Sequence, residues 1–184
     1  MTDIRIRAIG AQEAAQPGER MAAQLTAQLS DLLLDCVEGG ASVGFMLPLA
    51  RARADAFWRG VADGVARGER TLIVAEDAQG IAGTVQLLTA MPDNQPHRAD
   101  VAKLLVRRRA RGAGIGRRLM EAVDAAARAQ GRHLLVLDTA DATAARLYER
   151  LGWRRAGSVP DYALLPQGGL CATTFYYKQL TGAA

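Results

Sequence analysis

The segment from Val106 to Arg118 concentrates residue types that bind anions, with six arginines and three glycines in thirteen positions. An apolar strand, Val101 to Val106, runs into it, and an amphipathic helix leaves it. A helix N-terminus carries unpaired N–H groups and the positive end of the macrodipole, so negative charge is stabilised there. Gly112, Gly114 and Gly116 lack the Cβ that would hold an anion off the backbone. Arginine adds fixed charge and forked donors suited to phosphate oxygens. Two readings are open on these residues alone: a phosphate cradle, or a glycine-rich helix cap beside solvated arginines.

Three side chains near this turn in sequence can move protons. Tyr148 lies on a short helix, Asp100 at the start of the strand that feeds the turn, and Asp138 at the end of the apolar run Leu134–Leu137. Each has a plainer alternative. Tyr148 shares a helical face with Ala144 and Leu151 as a core aromatic would, and either aspartate can be a structural hydrogen bonder. His97 and His133 are isolated, and Cys36 sits on an apolar helical face, so no nucleophile or metal constellation is expected.

The net charge is +4, but residues 107–118 carry +6 with no acid among them, which leaves −2 for the rest. A nucleic-acid surface spreads its charge along a face and interleaves aromatics or polar readers. Here the charge is compact and broken by glycines, so a small phosphorylated ligand is expected and nucleic acid is not. Two familiar phosphate loops are excluded. Gly116 is followed by Arg117-Arg118 where a Walker loop needs Lys-Ser/Thr, and the dinucleotide fingerprint would need glycine at 117 or 119.

The elements that must position these groups follow from periodicity. Ile4, Ile6 and Ala8 suggest a short strand, although residues 1–7 lack the apolar run of a signal peptide. After the Gln16-Pro17-Gly18 break, Met21, Leu25, Leu29, Leu32, Leu33 and Cys36 mark an amphipathic helix, closed by Gly39 to Gly44. Pro48 fits the first turn of a second helix bearing Phe57, Val61 and Val65. Thr71–Glu76 and Ile81–Leu88 form a strand pair, and Met91–His97 a loop. Beyond the turn come a helix to Gly131, the strand 134–137, a helix to Gly152, and strands 153–159 and 171–178.

With 184 residues and 49% apolar side chains, this is a single domain, 1–184, of mixed α/β class. No apolar run approaches the roughly 20 residues of a membrane span. Two cysteines suit free thiols in a reducing cytoplasm, although one bridge stays open.

The order and spacing of two motifs carry a resemblance. Arg111-Gly112-Ala113-Gly114-Ile115-Gly116 matches Arg/Gln-x-x-Gly-x-Gly/Ala, the acetyl-CoA pyrophosphate signature of the GNAT N-acetyltransferase superfamily. Ala144 to Trp153 resembles that superfamily's Ala-x-x-x-Tyr-x-x-x-Gly-Phe segment, its Tyr148 lying 37 residues past Arg111. Gly39–Met46 together with Leu137-Asp138-Thr139 is similar to the branch containing tabtoxin-resistance acetyltransferases. Two positions depart from the pattern: Arg108 replaces a common proline, and Asp141 a common asparagine.

The resemblance implies a mixed sheet of about seven strands with a splayed parallel pair, flanked by four helices. It implies acetyl-CoA as co-substrate, without metal. Leu104, Leu105 and Val106 would line the pantetheine arm, with the Leu105 amide as donor to the thioester oxygen. Arg111, Gly112, Ala113, Gly114, Ile115, Gly116 and Arg117 would hold the pyrophosphate, with Asp141 as a further contact. Tyr148 would protonate the leaving thiolate, and Asp100 or Asp138 would take the amine's proton. Trp58 and the segment Glu38–Met46 would wall the acceptor site, with Glu38 reading a cationic group. The implied activity is acetyl transfer to a small-molecule amine by direct attack in a ternary complex, in toxin or antibiotic detoxification. Other openings are a peptide or protein amine, or a non-catalytic CoA-binding module. A monomer or homodimer fits equally.

Overall fold

A computed structural model describes residues 3–15 and 20–180. Residues 1–2, the Gln16-Pro17-Gly18 break and the Met21 side chain lie outside the described residues. The order is β1 (Arg5–Ala8), α1 (Ala11–Ala15), α2 (Arg20–Glu38), α3 (Arg51–Ala66), β2 (Arg70–Asp77), β3 (Gly80–Leu88) and β4 (Arg98–Val106). A 3-10 turn at Arg108–Ala110 follows, then α4 (Ile115–Ala129), β5 (Leu134–Thr139), α5 (Ala142–Arg150), β6 (Arg154–Leu164) and β7 (Leu170–Gln179). Seven strands form one sheet in the order β1-β2-β3-β4-β5-β7-β6. Only β4 and β5 are parallel neighbours.

Two cores cover the two faces of the sheet. α4 and α5 bury Ile115, Leu119, Met120, Val123 and Tyr148 against one face, together with Ala99, Val101, Leu135 and Leu137. On the other face α2 supplies Leu29, Leu32, Leu33, Cys36 and Val37, and α3 supplies Trp58, Val61 and Val65. Each such side chain contributes about 1.5–3 kcal/mol on leaving water. The periodicity placed these faces well. Differences lie at the edges. α1 raises the helix count to five, because Ala11–Ala15 is too short for a periodic signal. Pro48 precedes α3 instead of opening it, since that helix starts at Arg51. Both cysteines are free.

The fold's decisive irregularity is in β4. Its pairing with β5 lasts for three positions, ending at Asp100↔Val136, after which the strands part. Against β3, its register shifts between Thr84↔Leu105 and Gln86↔Ala102, so three β4 steps match two on β3. Lys103, inside this bulge, takes a left-handed φ of 55°, which costs a non-glycine residue energy. Gly83 keeps the region compact. A Cβ there would lie 2.9 Å from the Leu105 carbonyl oxygen and 3.1 and 3.2 Å from Ile115 and Leu119. The first turn of α4 therefore rests directly on the sheet. We expect Gly83→Val to destabilise the protein by about 1–3 kcal/mol through overpacking, read as a lower urea midpoint.

Candidate functional site

The strand β4 ends where α4 begins, and the turn between them is open. Gly112 and Gly114 have φ of 83° and 75°, and Gly114 is the α4 N-cap, with no side chain bonded to the helix end. Residues 111–114 are exposed, and a Cβ at Gly112 or Gly114 would meet nothing within 4 Å. Among the described residues, the N–H groups of Gly112 to Arg117 have no acceptor within the chain. The first intrahelical bond is Arg118 N–H to the Gly114 carbonyl. Six consecutive N–H groups at this helix N-terminus therefore lack a partner within the chain, an arrangement able to receive an anion.

The arginines around the turn are mostly committed elsewhere. Arg107 donates to the Ile81 and Gln28 carbonyls, and Arg118 to the Ile4 carbonyl. Arg108 grips Asp35 at 2.8 Å, Arg109 pairs with Asp77 at 2.6 Å, and Arg117 pairs with Glu121 at 2.7 Å. The local charge of +6 is therefore partly neutralised by acids brought from other elements. Arg111 has no acid partner; its Nε donates only to the Val106 carbonyl, at 3.3 Å. Arg107 and Arg118 likewise bond only carbonyls among the described residues, but Arg111 is held by a single, long contact. Glu38 is exposed and reaches Arg108 at 3.6 Å, beside the turn.

The backbone of β4 has two edges with different duties. Arg107 N–H donates to the Ala82 carbonyl, and the register pairs Leu105 with Thr84 and Val106 with Gly83. The Leu105 N–H therefore faces β3, contrary to the expectation that it meets a thioester oxygen. Alternation turns Leu104 and Val106 to the other edge. Consistent with that, the Val106 carbonyl accepts from Arg111 and, at 3.5 Å, from the Cys36 thiol, and not from β3. An amide donor for the cleft is available at Leu104 or Val106, while the Leu105 side chain fills the core beneath α2.

Beyond Asp100 the fork gathers the titratable groups. Asp138 lies on β5 opposite Phe175, is exposed, and accepts from the Thr173 hydroxyl at 2.7 Å. Its charge acts on Asp100, Lys103 and Tyr148 alike, so all three lie within electrostatic reach of Asp138. Burial raises the Asp100 carboxyl pKa, opposed by Arg98, whose guanidinium holds it at 2.7 Å, while Asp138 reinforces the rise. Burial pushes the Tyr148 phenol far up, with Asp141 and Asp138 adding to it. That phenol is protonated at any physiological pH. Asp141 caps α5, its Oδ1 accepting from the Ala144 N–H at 2.7 Å; a carboxylate offers no donor, so its place is the helix cap and not an amide-like contact.

Sequence reasoning missed three contributors. Trp58 is buried to 1% exposure, and the half-buried Phe57 presents its ring to the cleft instead, T-shaped against Phe45 at 5.2 Å. The Lys103 ammonium stands 5.9 Å over that ring. Thr173, a buried hydroxyl, orients Asp138. A lone lysine inside Ala102-Lys103-Leu104-Leu105 was the one available signal. Residues 40–48 reach the β6–β7 hairpin through Leu47 N–H to the Pro166 carbonyl and a 3.9 Å Ser42–Cys171 contact, and Gly44 lies beside the Lys103 ammonium. Among the described residues, no group of three or more His, Cys, Asp or Glu could hold a metal, and no helix is long and apolar enough to cross a membrane.

Comparison with known proteins fits this geometry. Residues 68–155 match the model of the acetyltransferase (GNAT) domain family. The uncharacterized N-acetyltransferase of the hisH–hisA intergenic region of Azospirillum brasilense is 37% identical over 112 residues, which are 60% of this chain and 65% of that protein. Among solved structures, an N-acetyltransferase from Staphylococcus aureus superposes with a TM-score of 0.74 at 17% identity, covering 97% of this chain and 99% of its own. The yncA protein of Salmonella typhimurium, solved with its cofactor acetyl-CoA, gives 0.75 at 18% identity, covering 99% and 96%. At these identities the likeness establishes the fold.

The ion pairs that brace the turn carry a pH signature. The forked donors of Arg109 hold the Asp77 carboxyl below its ordinary value, against a smaller opposing effect of burial. A depressed folded pKa stabilises fully above the unfolded value of about 3.9 and is lost as pH falls through the folded value. Asp77→Asn should therefore lower stability at pH 7, by at most about 1 kcal/mol for a pair with one exposed partner. The gap to wild type should close between pH 4 and pH 2, as followed by urea midpoints.

Proposed function

We propose that this chain, which carries the GNAT segment over residues 68–155 and the fold of acetyltransferases along its length, is an acetyl-CoA-dependent N-acetyltransferase of that superfamily. The observation that carries this reading is the row of unpartnered N–H groups from Gly112 to Arg117 at the mouth of a splayed strand pair. Acetyl-CoA, when bound, supplies an activated thioester and a pyrophosphate. The residues present fit it: the exposed donors and Arg111 suit the diphosphate, and the free edge of β4 at Leu104 and Val106 suits an amide-bearing arm.

Each remaining task has a residue of suitable chemistry. An amide donor from Leu104 or Val106 would stabilise charge on the thioester oxygen. Tyr148 would give its proton to the leaving thiolate, since burial keeps the phenol protonated. Asp138 would accept the proton of the attacking ammonium, with Asp100 as second acid at the base of the fork. Asp138 is favoured because Asp100 is already bonded to Arg98. The transfer would be direct; Cys36, buried, bonded to the Val106 carbonyl and with its thiol pKa raised by burial, is not poised as a nucleophile.

The contact of residues 40–48 with the β6–β7 hairpin favours a small-molecule amine over a protein segment. Acetylation removes the charge of such an amine, and detoxification of an amine-bearing toxin or antibiotic is the role we assign. Two free cysteines fit the reducing cytoplasm as its location.

Release of free thiol from acetyl-CoA should depend on an added amine; calorimetric binding without amine-dependent release would leave a CoA-binding module only. Tyr148→Phe should lower turnover by roughly 10²-fold with little change in acetyl-CoA affinity. Full activity in that variant would remove Tyr148 from the mechanism. Gly114→Asp places a side chain and a negative charge at a left-handed N-cap, so it should weaken acetyl-CoA binding by at least tenfold, or about 1.4 kcal/mol.

A further inference from the structure

Lys103 is a charged side chain without a partner, in the one cleft where a substrate would sit. The chain has two lysines among 23 basic residues. The other, Lys178, is paired with Asp124. Lys103 forms no hydrogen bond or ion pair with any described residue, although it is half-buried. Its ammonium rests over the Phe57 ring and 3.8 Å from where a Gly44 Cβ would be, so it points between α3 and residues 40–48. The β4 bulge and its left-handed φ direct it there; a regular strand would shift every residue before the bulge by one place.

An ammonium withdrawn from water without a counter-ion loses hydration that the face of one phenyl ring only partly replaces. Burial accordingly lowers the lysine pKa, and the negative Asp138 opposes that shift without forming an ion pair. A ligand anion would make the missing contact. Asp138, across the fork, keeps one carboxylate oxygen beyond its bond to Thr173 and carries the opposite charge. Asp138 acts electrostatically on Lys103, so a negative and a positive pole face the same region of the fork.

We propose that Lys103 binds a carboxylate of the acceptor, so that the substrate is an amino-acid-like molecule with its amine at Asp138 and its acid group at Lys103. This rests on the acetyltransferase reading above and names the acceptor class for the same site. A simple amine or polyamine would leave the lysine unpaired and add a like charge beside it. A zwitterion satisfies both poles.

The test uses acceptors in matched sets, each an α-amino acid, its carboxamide and the corresponding amine without the carboxyl group. Thiol release from acetyl-CoA is the readout, and calorimetry with acetyl-CoA alone the control. In the wild type, the carboxylate member should be favoured by at least about tenfold in kcat/KM. Lys103→Met keeps the apolar stem and removes the charge. It should raise KM for the carboxylate acceptor about tenfold or more, change kcat by less than about threefold, and abolish the preference over the carboxamide. Lys103→Arg should recover most of that preference. Equal use of the three acceptors by the wild type, or a preference retained in Lys103→Met, overturns the inference. So does a protein that binds acetyl-CoA yet acetylates no carboxylate-bearing amine. A wild type that fails to bind acetyl-CoA refutes the broader acetyltransferase reading instead.

Discussion

The structure turns on the loss of pairing between two parallel strands. β4 and β5 share three register positions and then separate, which leaves backbone N–H and C=O groups of β4 without a strand partner. Buried or half-buried backbone polar groups must find partners, so an unpaired edge inside a sheet calls for a ligand, water or side chain to complete it. Here the Val106 carbonyl takes donors from Cys36 and Arg111. The bulge at Lys103, the approach of α4 over Gly83 and the open turn at Gly112–Gly116 all sit within a few residues of that edge. Each would be costly in a continuous sheet, and together they make one site.

Charge is distributed to serve that site. The arginine run reads as a strong basic locus along the chain, yet Asp35, Asp77 and Glu121 answer Arg108, Arg109 and Arg117 in space. These pairs tie the turn to α2, to the β2–β3 turn and to α4 itself. Exposed pairs of this kind add little stability singly, but they fix where the loop lies. What stays available is Arg111 and the helix N-terminus, a focused field at one end of the cleft. At the other end burial governs the shifts of Tyr148, Asp100 and Lys103, and the charge of Asp138 adds a smaller effect on each.

Much of this was legible in advance, and the failures have physical causes. The faces of α2 and α4 follow from helical spacing, and strands β2 to β5 from their apolar runs. Trp58 is expected at the acceptor wall because its helix covers the sheet opposite the cofactor side. The α3 phase turns it inward and offers Phe57 instead. Leu105 was chosen as amide donor by its position in the strand, but a strand's two hydrogen-bonding edges cannot be told apart without its neighbours. Asp141 has a role that the sequence already allowed, its carboxylate capping the helix it starts.

The amino-acid sequence by itself determined the α/β class, the strand–turn–helix unit at Val106–Arg118 and the identity of the groups able to move protons. Those properties reside in local spacing and residue chemistry. Only the tertiary structure decided which backbone edge of β4 is free, which arginines are already neutralised, and that Lys103 stands over Phe57 within electrostatic reach of Asp138. Such facts depend on register, bulge and the packing of segments tens of residues apart. The free energy of one ion pair or one β-bulge is too small and too dependent on context to be written in any short stretch of sequence.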